Sequence, residues 1–182
     1  PLHVALPIFY RMAARAVDGI IGVTEKLVEW SRDNLAVGSD CVWYVPNFVT
    51  TAPQQTKSID LPGNPGSRIV CVANLRPQKD HLNLLRAMQQ VIRTHPEAHL
   101  ILLGNAGDNA HALKIKEKIS TGGLSANVSC LGSRMDARDI LQHCDIGVLS
   151  SLSEGLPLAL IEYGMAGLAT VATRVGQCAE VV

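Results

Sequence analysis

Short apolar runs alternate with longer amphipathic stretches along the last two thirds of the chain. Five of these runs have the length of buried strands, at 69–73, 98–103, 127–131, 145–149 and 168–172. Helical spacing of apolar residues between the runs predicts helices at 80–94, 109–121, 136–143 and 157–166. Because buried strands that alternate with helices form a parallel sheet with right-handed crossovers, we predict a doubly wound α/β fold.

A smaller α/β pattern precedes this region. Helical spacing covers 7–17, a short apolar run at 18–23 predicts a strand, and 41–45 alternates as a second strand. Between the two strands, Thr24 is a suitable N-cap for a helix that extends to about Leu35. Residues 50–67 are polar and rich in Pro and Gly, so we interpret them as a linker or exposed loop.

Composition limits the class of protein. A hydrophobic share of 47% with 18% charged residues in 182 positions indicates a globular chain with one large or two small domains. Lysine plus arginine equals aspartate plus glutamate, which argues against nucleic acid as a partner. Apolar stretches long enough to span a bilayer are absent, and the start at Pro1 shows no signal peptide. We therefore expect a cytoplasmic protein without a transmembrane segment.

Cysteines and histidines give no sign of a disulfide framework or a zinc site. The five cysteines include no Cys-x-x-Cys pair, which favours a reducing compartment, and the six histidines lack ligand spacing. Cys41, Cys71 and Cys130 fall in strand-like runs, where a free thiol behaves as a small hydrophobic group.

Candidate chemistry is concentrated at 150–167, between the last two apolar runs. Pro157 suits the first helical position and Gly167 the helix end. The start of a helix at the edge of a parallel sheet can bind an anion through its N–H groups and dipole. Glu154 lies just before this start and Glu162 lies on the helix. This combination favours a ligand that is phosphorylated and rich in hydroxyls, such as a nucleotide sugar.

The stretch Glu154-Gly155-Leu156-Pro157-Leu158-Ala159-Leu160-Ile161-Glu162 resembles the Glu-x7-Glu motif of retaining GT-B glycosyltransferases. Their group 1 or GT4-like members use a Rossmann-like C-terminal domain to bind the sugar donor. A buried helix with a nearby loop carboxylate is the simpler interpretation. That interpretation does not explain the Gly, the Pro and both Glu residues together.

A basic loop follows the first predicted strand of the larger region. The resembling family has Gly-Arg-Leu and then a Lys four residues after the Leu, and both basic side chains bind the donor diphosphate. Lys79 matches that Lys, whereas Asn74 occupies the Arg position. Arg76, two residues later, is our candidate for the missing charge, although a solvated basic turn would explain the loop if it stood alone.

Three more loops follow predicted strands. The turn at 104–108 contains Gly-x-x-Gly, which lacks the spacing of a dinucleotide fingerprint. In the loop 131–135, the resemblance makes Leu131 and Arg134 candidates for the base site. The stretch 174–180 resembles the family's Gly-Gly-x-x-Glu, and we give it no role in the site.

The resemblance implies a division of labour among the site residues. Glu162 would hold the ribose hydroxyls and Glu154 would contact the donor sugar as the catalytic candidate. The donor-binding set is Arg76, Lys79, Leu131, Arg134, Gly155, Leu156, Leu158, Ala159 and Glu162, of which Leu156, Leu158 and Ala159 would offer backbone N–H groups to the diphosphate. The chain has no Asp-x-Asp, so we expect neither a metal nor a cofactor.

The implied reaction is transfer of a hexosyl group from a nucleoside diphosphate sugar to a hydroxyl, with retention of the anomeric configuration. Alternatives are a nucleotide-sugar epimerase or phosphorylase of the same fold, and a non-catalytic nucleotide-sugar-binding module. The acceptor is a glycan or a lipid-linked molecule, as in polysaccharide biosynthesis, which is compatible with peripheral membrane contact.

The resemblance also divides the chain. It assigns 1–49 to the tail of an N-terminal acceptor domain, 50–67 to a linker and 68–182 to a truncated donor-binding domain. On this view we expect the 182-residue chain to bind a nucleoside diphosphate weakly without transferring sugar.

Overall fold

The structure is a computed structural model, and it describes residues 9–35, 37–49, 59–107 and 110–182. The chain forms two compact units, which comprise residues 1–48 and 49–182. Each unit has its own parallel sheet. We describe the units separately.

The smaller unit is one strand–helix–strand crossover preceded by helical residues at 9–14. Strands β1 (Ile20–Gly22) and β2 (Val42–Tyr44) pair in parallel, and helix α1 (Glu25–Asn34) connects them. Thr24 caps α1 as predicted, because its side chain accepts a hydrogen bond of 3.1 Å from the Leu27 N–H. A short 3₁₀ turn at Ser39–Cys41 precedes β2, so Cys41 lies in this turn and not in the strand.

The larger unit contains a five-stranded parallel sheet in the order β5-β4-β3-β6-β7. The strands are β3 (Arg68–Val72), β4 (His99–Leu103), β5 (Val128–Gly132), β6 (Ile146–Leu149) and β7 (Ala169–Ala172). The helices are α2 (His81–Thr94), α3 (Ala110–Thr121), α4 (Ala137–Leu141), α5 (Leu158–Ala166) and α6 (Cys178–Val181). The predicted doubly wound α/β fold is confirmed, with element ends that differ by one or two residues.

Two cores lie on opposite faces of this sheet. Leu100 and Leu102 of β4 pack on one face with α2 and α3, whereas Ile101 and Leu103 pack on the other with α4 and α5. Because alternate residues of a strand point to opposite faces, a strand buried on both sides is apolar at every position. This explains why β4 was an uninterrupted apolar run in the sequence. Cys130 of β5 is exposed, so that thiol does not belong to either core.

Part of the predicted linker packs against the larger unit. Residues 50–58 lie outside the described residues, but Leu61 is buried and the segment 61–63 contacts Arg68 at the start of β3. The Arg68 side chain is buried and donates hydrogen bonds to the carbonyl oxygens of Leu61, Pro62, Gly63 and His143. The interpretation as an exposed loop is therefore wrong for this segment, because its backbone supplies the acceptors for a buried guanidinium.

Candidate functional site

The candidate site lies where the order of the strands reverses. Strand β3 is the first of the sheet along the chain, yet β4 pairs with one of its edges and β6 with the other. Ligands of doubly wound folds bind beyond the carboxyl ends of the strands at such a switch point. The loops that follow β3 and β6 meet there, and they contain Lys79 and Glu154.

Three hydrogen bonds hold these two loops together. The Leu152 N–H donates to the Gln78 carbonyl over 2.8 Å, and the Gln78 side-chain amide donates to the Ser153 carbonyl over 2.7 Å. The Ser150 hydroxyl donates to the Lys79 carbonyl over 2.8 Å. The loop after β3 forms a 3₁₀ turn at Pro77–Lys79, so the position of Lys79 is set by its own turn and by the neighbouring loop.

Lys79 and Glu154 form an ion pair at the centre of the site. Lys79 Nζ lies 2.5 Å from Glu154 Oε1, and the Ser151 hydroxyl donates to the same oxygen over 2.5 Å. The Lys79 side chain is 23% exposed and that of Glu154 only 8%. The structure therefore places together a cation and a carboxylate that the sequence separates by 75 residues.

The loop after β7 supports the backbone of Glu154. A Cβ atom at Gly176 would lie 2.0 Å from the Glu154 carbonyl oxygen, and Gly176 has a φ of +54°, so this close approach requires glycine. The Gln177 N–H donates to the Gly155 carbonyl over 3.1 Å, and the Thr173 hydroxyl donates to the Ser151 carbonyl over 2.6 Å. No role for this loop was predicted from the sequence. The glycine of its family-like motif was the signal that could have identified it.

Helix α5 begins beside this cluster. Pro157 is its N-cap rather than its first helical residue, and the helix ends at Gly167, whose φ of +74° makes the left-handed cap we predicted. The first N–H groups of a helix have no acceptor within the helix. Leu158 and Ala159 provide two such groups near the Glu154 loop. The predicted anion site thus has the expected backbone.

Glu162 lies on α5, one turn after its start. Its side chain is half-buried, and burial raises the pKa of its carboxyl, an effect that the positive charge of Arg138 partly opposes. A half-buried carboxylate at the edge of the site can accept hydrogen bonds from hydroxyl groups of a ligand.

The other predicted residues contribute to the site less directly. Arg76 is exposed on the same loop as Lys79, and Leu131 is half-buried within β5. Arg134 donates two hydrogen bonds, of 2.7 and 2.6 Å, to the carboxylate of Asp136. These bonds lower the pKa of Asp136 and raise the pKa of Arg134. Arg134 is consequently engaged by its neighbour in this structure.

A buried histidine next to Lys79 was not anticipated from the sequence. His81 starts α2 and is fully buried, and neither of its ring nitrogens has a hydrogen-bond partner among the described residues. Burial, with the nearby His111, lowers the pKa of His81 to about 4. The ring is therefore neutral at physiological pH.

Metal clusters and membrane-spanning helices are absent from the part of the chain that the structure describes. Within 9–35, 37–49, 59–107 and 110–182, no group of three or more His, Cys, Asp or Glu side chains is arranged to hold a metal ion. No helix in these ranges is long and apolar enough to cross a bilayer.

A family model described as "Glycosyl transferases group 1" matches residues 66–182. The chain is 30% identical over 143 residues to a phosphatidylinositol N-acetylglucosaminyltransferase of Arabidopsis thaliana, covering 78% of this chain and 31% of the relative. It is 31% identical over 106 residues to the UDP-Gal:alpha-D-GlcNAc-diphosphoundecaprenol alpha-1,3-galactosyltransferase of Escherichia coli, covering 57% of this chain and 27% of that enzyme.

Solved structures share the fold. The Anabaena protein HepE, crystallised with UDP-glucose, matches with a TM-score of 0.75 and 19% identity over 97% of this chain and 50% of HepE. The chain thus spans about half of this structural neighbour and less than a third of the two curated relatives.

Proposed function

The chain belongs to the group 1 glycosyl transferases, and from this premise we propose that it binds the nucleoside diphosphate sugar donor of a glycosyl transfer reaction. The observation that carries the proposal is the Lys79–Glu154 pair at the switch point of the sheet, beside the start of α5. A cation and helix N–H groups suit a diphosphate, whereas a carboxylate suits sugar hydroxyls.

In this proposal the diphosphate lies between Lys79 and the start of α5. Lys79 provides a point charge and the N–H groups of Leu158 and Ala159 provide directed donors, with Leu156 and Gly155 lining the turn before them. Negative charge develops on the diphosphate as the glycosidic bond to the sugar breaks. Donors fixed at that position lower the barrier because they require no reorganisation.

Glu154 would exchange its partner when the donor binds. In the structure its Oε1 accepts from both Lys79 and Ser151. A diphosphate that attracts Lys79 would free one lone pair of this oxygen for a hydroxyl of the transferred sugar. We propose Glu154 as the catalytic residue on this basis, with Glu162 bound to the ribose, and retention of configuration as the stereochemical outcome.

The base site is proposed at the end of β5. Leu131 lies within that strand and Arg134 in the loop that follows it. Because Asp136 already holds the guanidinium of Arg134, backbone groups of this loop are better placed to read the base than the arginine side chain. Arg76 would add charge at the outer side of the diphosphate.

The names of the relatives support the donor and suggest the acceptor. One relative's name specifies UDP-Gal and a diphosphoundecaprenol acceptor, and another specifies phosphatidylinositol. The structural neighbour was crystallised with UDP-glucose. For the whole protein we therefore propose a lipid-linked acceptor. Residues 68–182 form its donor-binding part and 1–49 belong to its acceptor part.

Calorimetric titration of the chain with UDP, GDP and ADP, each against its nucleoside, tests the proposal. We expect one nucleoside diphosphate to bind more tightly than its nucleoside, and binding that persists with a chelator because Lys79 and the helix supply the positive charge. Equal affinity for diphosphate and nucleoside would refute the diphosphate site. For the longer protein, NMR of the product's anomeric proton distinguishes retention from inversion, and formation of an epimerised donor would favour an epimerase.

A further inference from the structure

Tyr163 connects the carboxyl ends of β3 and β6, and we propose that it is a positioning residue that holds the donor-binding loops in register. The inference rests on the proposed function, because it concerns the same site. Tyr163 follows Glu162 on α5 and is fully buried, so it cannot contact a ligand itself.

Backbone pairing between β3 and β6 stops short of the site. Their register contains two residue pairs, Ile69 with Ile146 and Val70 with Gly147, whereas β3 and β4 pair at five positions. Beyond these pairs, the Tyr163 hydroxyl accepts a hydrogen bond of 2.7 Å from the Val72 N–H and donates one of 3.2 Å to the Val148 carbonyl. A single oxygen thus bridges the two strands where their register ends.

The ring position is fixed from the side of β6. A Cβ atom at Gly147 would lie 2.4 Å from two carbon atoms of the Tyr163 ring. Glycine at this position therefore allows the ring to lie directly against the strand. Burial also raises the pKa of the Tyr163 hydroxyl well above its usual range, so the group stays protonated and can donate to Val148.

Three parts of the site depend on this bridge. Val72 leads directly into the loop that contains Lys79, and Val148 leads into the loop that contains Glu154. Tyr163 itself belongs to α5, which contains Glu162 and whose first N–H groups face the site. A shift of any one part would change the 2.5 Å contact between Lys79 and Glu154 and the position of Glu162 relative to both.

The hydroxyl group can be separated from the packing of the ring. Tyr163→Phe keeps the buried ring but leaves the Val72 N–H and the Val148 carbonyl without this partner. Gly147→Ala keeps the hydroxyl but displaces the ring. Ile115→Val, a buried change on α3 in the core of the opposite face, is the control for a general loss of stability.

Two measurements on the folded chain test the proposal. Amide hydrogen exchange of the free protein should become about tenfold faster at Val72 and at Leu152, whose N–H joins the two loops, and stay unchanged at Leu102 of β4. Affinity for the best of UDP, GDP and ADP should fall on the order of tenfold in Tyr163→Phe and Gly147→Ala, but not in Ile115→Val.

Faster exchange at Val72 alone, with Leu152 and the nucleotide affinity unchanged, would show that the tyrosine only stabilises the core and would overturn the proposal. An affinity that falls equally in Ile115→Val would do the same. If the unmodified chain binds none of the nucleotides, the proposed function fails, and exchange at Leu152 then decides the role of Tyr163 by itself. If Gly147→Ala does not fold, Tyr163→Phe decides alone.

Discussion

Two basic residues lie at opposite ends of the same strand region, and their surroundings differ completely. Arg68 begins β3, is buried, and donates hydrogen bonds to four backbone carbonyl groups. Lys79 follows the carboxyl end of β3, is partly exposed, and has one carboxylate partner, Glu154. The first cation has all its donors occupied by the fold, whereas the second can exchange its partner.

The comparison shows what distinguishes a structural charge from a binding charge. Backbone carbonyls around Arg68 cannot move away without unfolding the segment at 61–63 or the end of α4. The Glu154 side chain can rotate when an anion arrives, because Ser151 remains as a partner for its oxygen. Partners that are free to reorganise, rather than charge itself, therefore indicate the site.

The largest effect is expected at the structural end. Arg68→Met should lower the free energy of unfolding by about 3–5 kcal/mol, because several buried carbonyl oxygens lose their donor. Urea unfolding measures this loss. Arg86→Met is the control, since that exposed arginine makes one hydrogen bond of 3.3 Å within its own helix and should change stability little. A loss below about 1 kcal/mol for Arg68→Met would contradict the comparison.

His81 adds a third case, a polar group beside Lys79 that is buried without a partner among the described residues. Its pKa falls from 6.5 to about 4 in the folded chain, so the unfolded chain takes up the proton first as the pH drops. Stability present above pH 6.5 should be lost down to pH 4, by up to about 3 kcal/mol. Other titrating groups add to this slope.

Unfolding measured between pH 4 and 6.5 tests the role of His81. His81→Leu removes the titrating group and should flatten the dependence of stability on pH. His95→Gln, at an exposed position, should leave the dependence as it is. An unchanged slope in His81→Leu would mean that another group causes the loss.

At the binding end, we expect an effect on affinity rather than on stability. Lys79→Ala should weaken binding of a nucleoside diphosphate by about 1.5–3 kcal/mol, because a charge-assisted contact to phosphate is lost. Nucleoside binding and the free energy of unfolding should change much less, since the Lys79–Glu154 pair is partly exposed. Lys114→Ala, on the exposed side of α3, is the control. Equal losses for both ligands would exclude contact between Lys79 and phosphate.

The smallest effect is expected for Glu162→Gln. The amide retains one oxygen acceptor but loses the charge, so affinity for the ribonucleotide should fall by about 1 kcal/mol. Affinity for the 2′,3′-dideoxy analogue should hardly change, because it lacks the hydroxyls that Glu162 would bind. Glu117→Gln, exposed on α3, provides the control. Identical penalties for the two ligands would refute the ribose assignment.

The fold and the location of the site could be predicted from local patterns. Apolar runs such as β4 identified the buried strands, Thr24 and Gly167 identified helix ends, and each candidate motif followed a strand. These features depend on the period of the side chains and on the conformations that individual residues adopt, both of which act over a few residues. Boundaries shifted by a residue because a cap such as Pro157 belongs to both the loop and the helix.

Only the tertiary structure decided which residues share a partner. The sequence determined that Lys79, Glu154 and Tyr163 exist and roughly which elements contain them. It could not determine that Lys79 and Glu154 meet, that Gly176 lies against Glu154, or that carbonyl groups occupy the donors of Arg68. Those contacts join residues that are distant along the chain or depend on backbone atoms, which are identical in every residue. The order of the strands brings them together, so no local pattern encodes them.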